Sequence, residues 1–445
     1  MSSLPLLPVQ SLDRCIAVRD GQAIDGRTLL CHVHAFAQSL PQARNVLNLC
    51  KDRYWFAVGL LACTARGIPT QLPSSTAPEG LAALCRELPD MLCLGDDDLA
   101  PVADVPFCNV AQLRVTAADR SAHIPEIPFE RHFATLYTSG STGKPQAHRK
   151  AYGRFVQDVS SASTYLWHWA KNPCSVVGTV PSQHMFGLES TVMLPLHCGG
   201  TLSARIPFFP SEIGDALAAV PPPRLLVSTP FHLRKLLEAN VPTPTLAAIL
   251  SSTASMPQDL AAEAERRLGA PLLEIYGSTE TGQIAHRRPA VEPSWLLSAG
   301  IELLQEQGAN IARGGHLEQD YALNDAVEMI GENRFRLLGR NAELVNVAGK
   351  RNSLGFLNQV LAGVEGVRDG VFCVPPGEVE GDVKRLIAFV VAPGRTARQV
   401  LEGLRPHLDP VFLPRPIVFV ESLPRNATGK IPAAALSDLV ARHLR

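Results

Sequence analysis

The sequence predicts an α/β fold, with a large N-terminal domain of layered sheets and helices and a small, mobile α+β domain at the C-terminal end. Three observations lead there. Four apolar runs, at residues 176–180, 225–230, 247–254 and 272–280, each end in small or hydroxyl-bearing residues and are separated by helical stretches. That is the pattern of a sheet whose carboxyl edge lines one crevice. Beyond Arg340 strand and helix signals start afresh and close into a compact unit. With 445 residues, 46% hydrophobic and 19% charged, the chain can bury large cores, and the expected division is into residues 1–339 and 340–445.

Composition narrows the function. A formal net charge of −1 gives no global field that would draw the chain to nucleic acid or an anionic membrane, so small molecules are the expected partners. Ten cysteines run from Cys15 to Cys373 without a Cys-x-x-Cys pair. This argues against a zinc ribbon or a thioredoxin-like centre and fits reduced thiols in the cytoplasm. Residues 1–15 lack the basic segment and long apolar core of a secretory signal. The least charged stretch, 172–204, is broken by Pro181, Glu189 and Pro195 and is not expected to span a membrane.

The elements follow in order. His32 and His34 lack a third ligand nearby and read as structural or exposed. Residues 54–67 carry apolar residues at helical spacing, and Ile68-Pro69-Thr70 leads into an apparent loop, one helix–strand step of an α/β layer. Asp96-Asp97-Asp98 reads as an acidic turn more readily than as a divalent-ion site. Residues 136–146, Leu-Tyr-Thr-Ser-Gly-Ser-Thr-Gly-Lys-Pro-Gln, look like a phosphate cradle. Glycines let the backbone bend towards an anion, and hydroxyls and N–H groups supply donors without bulk. A Walker loop would need Gly at 138 and Ser or Thr at 145, where Thr138 and Pro145 stand. A plain Gly/Ser loop is the alternative.

His184 follows the first of the four runs, just beyond the strand's carboxyl end, where open α/β sheets place ligands. A half-buried structural histidine is the other possibility. Thr279 and Glu280 close the fourth run. A carboxylate beside a phosphate cradle is repulsive unless a hard cation such as Mg²⁺ lies between, so Glu280 is a metal-ligand candidate; it could instead be an acid at a helix N-terminus. Asp325 could hold a ribose diol or sit in an exposed turn. Two strand-like segments, at 326–330 and 335–340, flank a turn at 331–333. In the C-terminal unit a helix is expected near 357–361 and strands at 370–374 and 385–391. Lys430, on a Thr-Gly-Lys loop, can be delivered to an anion by domain motion; taken alone it would be a solvated surface lysine.

As a set, residues 137–146, 276–280, Asp325, Gly339-Arg340 and 428–430 resemble, in order and spacing, the AMP-forming acid ligase superfamily. Its members include acyl-CoA synthetases, aryl-acid ligases, nonribosomal-peptide adenylation domains and firefly luciferase. The likeness covers residues 54–430. It implies a cytoplasmic ATP-dependent acid–thiol ligase: a carboxylate attacks the α-phosphate of Mg-ATP, giving an acyl-adenylate and pyrophosphate, and a thiol of CoA or a phosphopantetheinyl carrier protein then displaces AMP. The same likeness assigns the phosphates to Thr138, Ser139, Gly140, Ser141, Thr142, Gly143 and Lys144. Thr279 and Glu280 approach the α-phosphate and Mg²⁺. Tyr276, with Gly277 and Ser278, lies against adenine, and Thr253, Ala254 and Ser255 line its other side. Asp325 and Arg340 hold the ribose, His184 lies near the acyl carboxylate, and Lys430 neutralises charge during adenylation. Rotation of the small domain then presents Gly349 and Lys350 for the thiol step.

Three departures stand out. Gln146 replaces the family's usual lysine after the loop proline, removing a charge for which Lys144 or His148 could compensate. Ala342 stands at the usual hinge, with Glu343 next to it. The chain is also short, with losses before Tyr54 and in the small domain. More narrowly, residues 179–189, 346–351 and 424–430 resemble compact ligases of bacterial aryl-polyene and xanthomonadin-type pigment pathways, which implies a hydroxylated aryl acid. The competing functions are a nucleotide- or adenylate-binding module with lost catalysis, and an ATP hydrolase or kinase, which would release ADP instead of AMP.

Overall fold

Two sheets with helices between them form most of the molecule. The computed structural model describes residues 2–98, 102, 104–114, 123–139, 145–306, 309–340, 344–347, 350–374, 386–425 and 431–443. Among these, the smaller sheet runs Pro145–Ala151, His132–Ser139, Thr70–Leu72, Asn45–Asn48, Met91–Gly95, Phe107–Asn109 in spatial order. The larger has eleven strands among the described residues. Its centre is the parallel set Leu272–Ser278, Ala248–Ser251, Arg224–Ser228, Ser175–Gly178 and Thr201–Ser203. Four of these are the four runs read from the sequence, and they lie side by side with Gly178 opposite Val227, Ser228 opposite Ser251 and Ser251 opposite Glu274. Their carboxyl ends therefore share one edge.

The strands are mostly apolar because both faces are covered. Val176, Leu225, Leu250 and Leu273 enter one core, while their neighbours Val177, Leu226, Ile249 and Leu272 enter another. The first core lies between the sheets and contains the helices Arg53–Arg66 and Tyr152–Ala170. The second lies under Pro210–Ala218, Pro230–Ala239 and Gln258–Leu268. Local sequence sets these helices. Asp52 accepts the N–H groups of Tyr54 and Trp55, and Gly67, at φ 71°, closes the same helix. Thr229 caps the helix Pro230–Ala239, whose first residue is Pro230.

One expectation fails. Ile68-Pro69-Thr70 does not open a loop, because Thr70–Leu72 is an interior strand of the smaller sheet with Thr70 and Leu72 fully buried. Three residues between two prolines are too few to show a period. His32 and His34 are structural: His32 Nδ1 shares a hydrogen bond with the Tyr54 hydroxyl, and His34 Nε2 donates to the His123 carbonyl. The three aspartates form a turn, with Asp96 accepting the Lys51 N–H, Asp97 pairing with Lys51 and Asp98 accepting from Asn109 and Gln112.

Residues 301–322 contribute a three-stranded sheet, packed with Trp295 and Phe335 on the edge of the larger one. The chain then forms the strands Asp369–Cys373, Ile387–Val391 and Ile417–Phe419, with Leu354–Ala362 and Ala397–Leu404 over one face and Ala433–His443 over the other. This is the α+β arrangement expected. No described helix is long and apolar enough to cross a membrane.

Candidate active site

The site grows from the shared carboxyl edge. A fully buried arginine braces that edge: the Arg53 guanidinium donates to the carbonyls of Gly178, Val180, Ser203 and Arg205, tying together two strand ends. Burial lowers its pKa to about 9. Nothing in the spacing around Arg53 announced this role.

Thr138 closes the strand His132–Ser139, whose antiparallel partner Pro145–Ala151 sets Gln146 opposite Thr138. The cradle residues Gly140, Ser141, Thr142, Gly143 and Lys144, and the side chain of Ser139, lie outside the described residues. Gln146 is exposed, whereas His148, two places on, is buried. Its Nε2 lies 3.0 Å from the Thr138 hydroxyl and 3.6 Å from Glu280 Oε1. Burial lowers the His148 pKa, as does Lys150, against the opposite pull of Glu280. His148 thus lies between the Thr138 hydroxyl and Glu280, and its burial disfavours the charge that would replace the missing lysine.

Thr279 and Glu280 are half-buried in the turn between the antiparallel strands Leu272–Ser278 and Gly282–Arg287. Glu280 is therefore not at a helix N-terminus. The turn is fixed by reciprocal bonds between Ser278 and Thr281, and by Gly282, at φ +68°. Burial alone would raise the Glu280 pKa, but the Ser278 hydroxyl, its own N–H, His148 and Lys150 together bring it below the usual value. The result is a charged carboxylate beside a hydroxyl-bearing strand end, a donor set that suits a hard cation. Lys150 donates to the Glu280 carbonyl at 2.9 Å. Lys150, Arg154, Asp158, Met185, Glu280 and His316 line a small cleft beside this turn.

The Tyr276 hydroxyl donates to Asp325 Oδ2 at 2.7 Å, and Asp325 stands opposite Arg340 in their hairpin. Tyr276 packs against Trp295 and Phe335, which sequence reasoning did not single out. Gly277 and Ser278 are exposed on the same strand. Thr253 sits at φ +78° with its Oγ1 buried and unpartnered, and Ala254 and Ser255 are exposed. Glu274 anchors the end of this loop, accepting the Met256 N–H at 2.8 Å and pairing with Arg287 at 2.6 Å. His184 is half-buried beyond the Ser175–Gly178 strand, and its neighbour Met185 lines the cleft. The side chains of Arg340 and Lys350, and the whole of Gly349, Ala342, Glu343 and Lys430, lie outside the described residues.

Lys150, Asp158 and Gln283 were missed in the sequence. Asp158 had a signal: it interrupts the apolar stripe of Tyr152, Phe155, Val159, Ala162 and Leu166 on one helix.

A hydroxyl-rich strand end of the smaller sheet, facing an anionic carboxylate and an aromatic–aspartate pair on the larger one, suits a nucleoside triphosphate and its metal. Residues 9–307 match the AMP-binding enzyme family, and residues 357–430 match the AMP-binding enzyme C-terminal domain. The chain belongs to the AMP-binding enzyme family, as an AMP-forming acid–thiol ligase. It is 30% identical over 336 residues to a 4-coumarate–CoA ligase of Halorhodospira halophila, covering 73% of this chain and 79% of that protein. It shares its fold with o-succinylbenzoate CoA synthetase of Bacillus subtilis in complex with its acyl-adenylate intermediate, with a TM-score of 0.83 and 19% identity over 98% of this chain and 99% of that one. The same synthetase in complex with ATP and magnesium ion superposes with a TM-score of 0.80 and 18% identity, over 97% and 98%.

Proposed function

We propose that the chain activates an aryl acid such as a hydroxybenzoate, or a hydrophobic acyl acid, and passes it to the thiol of CoA or of a phosphopantetheinyl carrier protein. The acid's carboxylate oxygen bonds to the α-phosphorus of ATP as pyrophosphate leaves; the thiol sulfur then bonds to the acyl carbon as AMP leaves. The observation that carries this reading is the chain of contacts from Thr138 through His148 to Glu280, which joins the cradle strand to an anionic carboxylate. Glu280, with the Thr138 hydroxyl near, would hold Mg²⁺, which supplies neutralisation of phosphate charge when bound.

The nucleotide's base and ribose fall to Tyr276, Thr253–Ser255, Asp325 and Arg340, and Thr138 to Lys144 take its phosphates. Lys430 supplies a cation during adenylation and His184 orients the acid's carboxylate. Positioning and electrostatics, more than covalent chemistry, accelerate the step at phosphorus. The division between a large and a small domain falls at residues 339 and 340, and ten free cysteines suit the cytoplasm. The wording of residues 179–189 and 424–430 favours the ligases of aryl-polyene-type pigment pathways. A second reading, a nucleotide- or adenylate-binding module with reduced ligase activity, draws on exposed Gln146 and on a His148 whose charged form burial disfavours.

Acid-dependent exchange of labelled pyrophosphate into ATP tests the first reading, with AMP as the nucleotide product. ATP binding without exchange across a broad panel of aryl and fatty acids would favour the second. Release of ADP would overturn both.

A further inference from the structure

The strand Pro145–Ala151 leaves the cradle directly and reaches the Glu280 turn twice. Side chains alternate along a strand, so Gln146, His148 and Lys150 share one face. Gln146 is exposed at its start, His148 lies 3.6 Å from the Glu280 carboxylate, and Lys150 Nζ donates to the Glu280 carbonyl at 2.9 Å. The face that lacks a lysine at 146 therefore carries one at 150, bound to the backbone of the turn.

A second side chain takes the next carbonyl. His316 Nε2 donates to the Thr281 carbonyl at 2.8 Å, and that nitrogen carries a hydrogen because a carbonyl only accepts. His316 is buried, and its Nε2 also lies 3.6 Å from Asp158 Oδ1. Arg154, on the helix Tyr152–Ala170, donates to the Leu317 carbonyl at 2.9 Å, so the segment that carries His316 is itself held. Two consecutive carbonyls of one turn are thus gripped by side chains from two separate segments. Water could satisfy a carbonyl at the edge of a cleft. A lysine brought there is penalised by burial, which lowers its pKa against the opposing charges of Glu189, Asp158, Glu318 and Glu280. What the ammonium adds over water is a fixed direction.

We propose that Lys150 and His316 are positioning residues: by holding the Glu280 and Thr281 carbonyls they set the Glu280 carboxylate beside His148 and Thr138. The proposal rests on the reading of Glu280 as the ligand of the nucleotide's metal. A carboxylate on a loose turn samples several directions, and a cation shared with phosphate oxygens is served by few of them. Groups that orient a ligand without touching the metal change metal affinity by roughly 10–100-fold.

The test measures binding of ATP with Mn²⁺, and of ATP alone, by calorimetry for wild type, Lys150→Met, Lys150→Arg, Glu280→Gln and the double variant Lys150→Met/Glu280→Gln. Lys150→Met is expected to weaken binding of ATP with Mn²⁺ by roughly 10–100-fold and to leave binding of ATP alone close to wild type. Lys150→Arg, which keeps a charged donor, should recover most of the loss. In the Glu280→Gln background Lys150→Met should add little, because both act through one group. Unchanged affinity in Lys150→Met, equal losses with and without metal, or a full further loss in the double variant overturns the proposal; a lysine that only stabilises the fold, or that acts on phosphate directly, gives those results. If Lys150→Met does not fold, His316→Met carries the same cycle with the same outcomes. Wild-type affinity in Glu280→Gln would take the metal from Glu280, which is the separate failure of the reading above. Hydrogen exchange at residues 278–282 then decides this one: faster exchange in Lys150→Met, restored in Lys150→Arg, sustains it, and unchanged exchange sinks it.

Discussion

Thr253 holds a backbone angle that a β-branched side chain rarely accepts, with φ at +78°. Its hydroxyl is buried without a partner as well, so the residue carries two penalties at the lip of the proposed nucleotide site. Such strain persists where surrounding structure enforces it, and here Met256, bonded to Glu274, fixes the loop's far end. Relief of roughly 1–3 kcal/mol of strain should outweigh the roughly 1 kcal/mol entropic cost of glycine. Thr253→Gly is therefore expected to stabilise the free protein by about 1 kcal/mol in denaturant titration, and to raise the KM for ATP. A loss of stability would mean that the side chain holds the loop more than it strains it. At this scale the sequence named residue types well and partnerships poorly. Thr138 and Glu280 were legible as hydroxyl and carboxylate, but the histidine that joins them, His148, was visible only as a stand-in for a missing charge.

Strands and helices were more legible than the struts that connect them. The four parallel runs could be read because each is apolar on both faces and ends in hydroxyls, and Thr229-Pro230 announces its helix by capping chemistry. Thr70–Leu72 and Trp295–Leu297, three residues each, are too short to show a period and take their pairing from neighbours distant in sequence. The strut between Ala248–Ser251 and Leu272–Ser278 was invisible for the same reason. Glu274 is buried, bonded to Met256 and paired with Arg287, which lies 4.4 Å over Trp295. Removing one partner leaves the other as an uncompensated buried charge, so Glu274→Ala should cost about 3–5 kcal/mol in chemical denaturation. The double variant Glu274→Met/Arg287→Met should recover most of that loss, since neither charge is then stranded. A single variant within experimental error of wild type would mean that solvent reaches Arg287 and that the pair supports the loop only weakly.

At the scale of the whole molecule, the two-step reaction asks one crevice to serve two chemistries. The strands from Asp369 to Phe419 have cores of their own on both faces, and among the described residues Arg234 reaches across to the Arg368 carbonyl with a single exposed hydrogen bond. A unit with its own packed cores is suited to change its orientation while keeping its fold. If Lys430 serves only the orientation that makes the adenylate, Lys430→Ala should lower acid-dependent pyrophosphate exchange by roughly 10²–10³, the scale of losing one preorganised cationic or hydrogen-bonding group in a transition state. It should leave thioester formation from supplied acyl-adenylate close to wild type. Lys350→Ala should show the converse, normal exchange with a slowed thiol step. Stopped-flow assays of the two half-reactions separate these outcomes. Equal losses in both half-reactions for each lysine would place the two residues in one fixed arrangement, and rotation of the small domain would then have no part in the cycle.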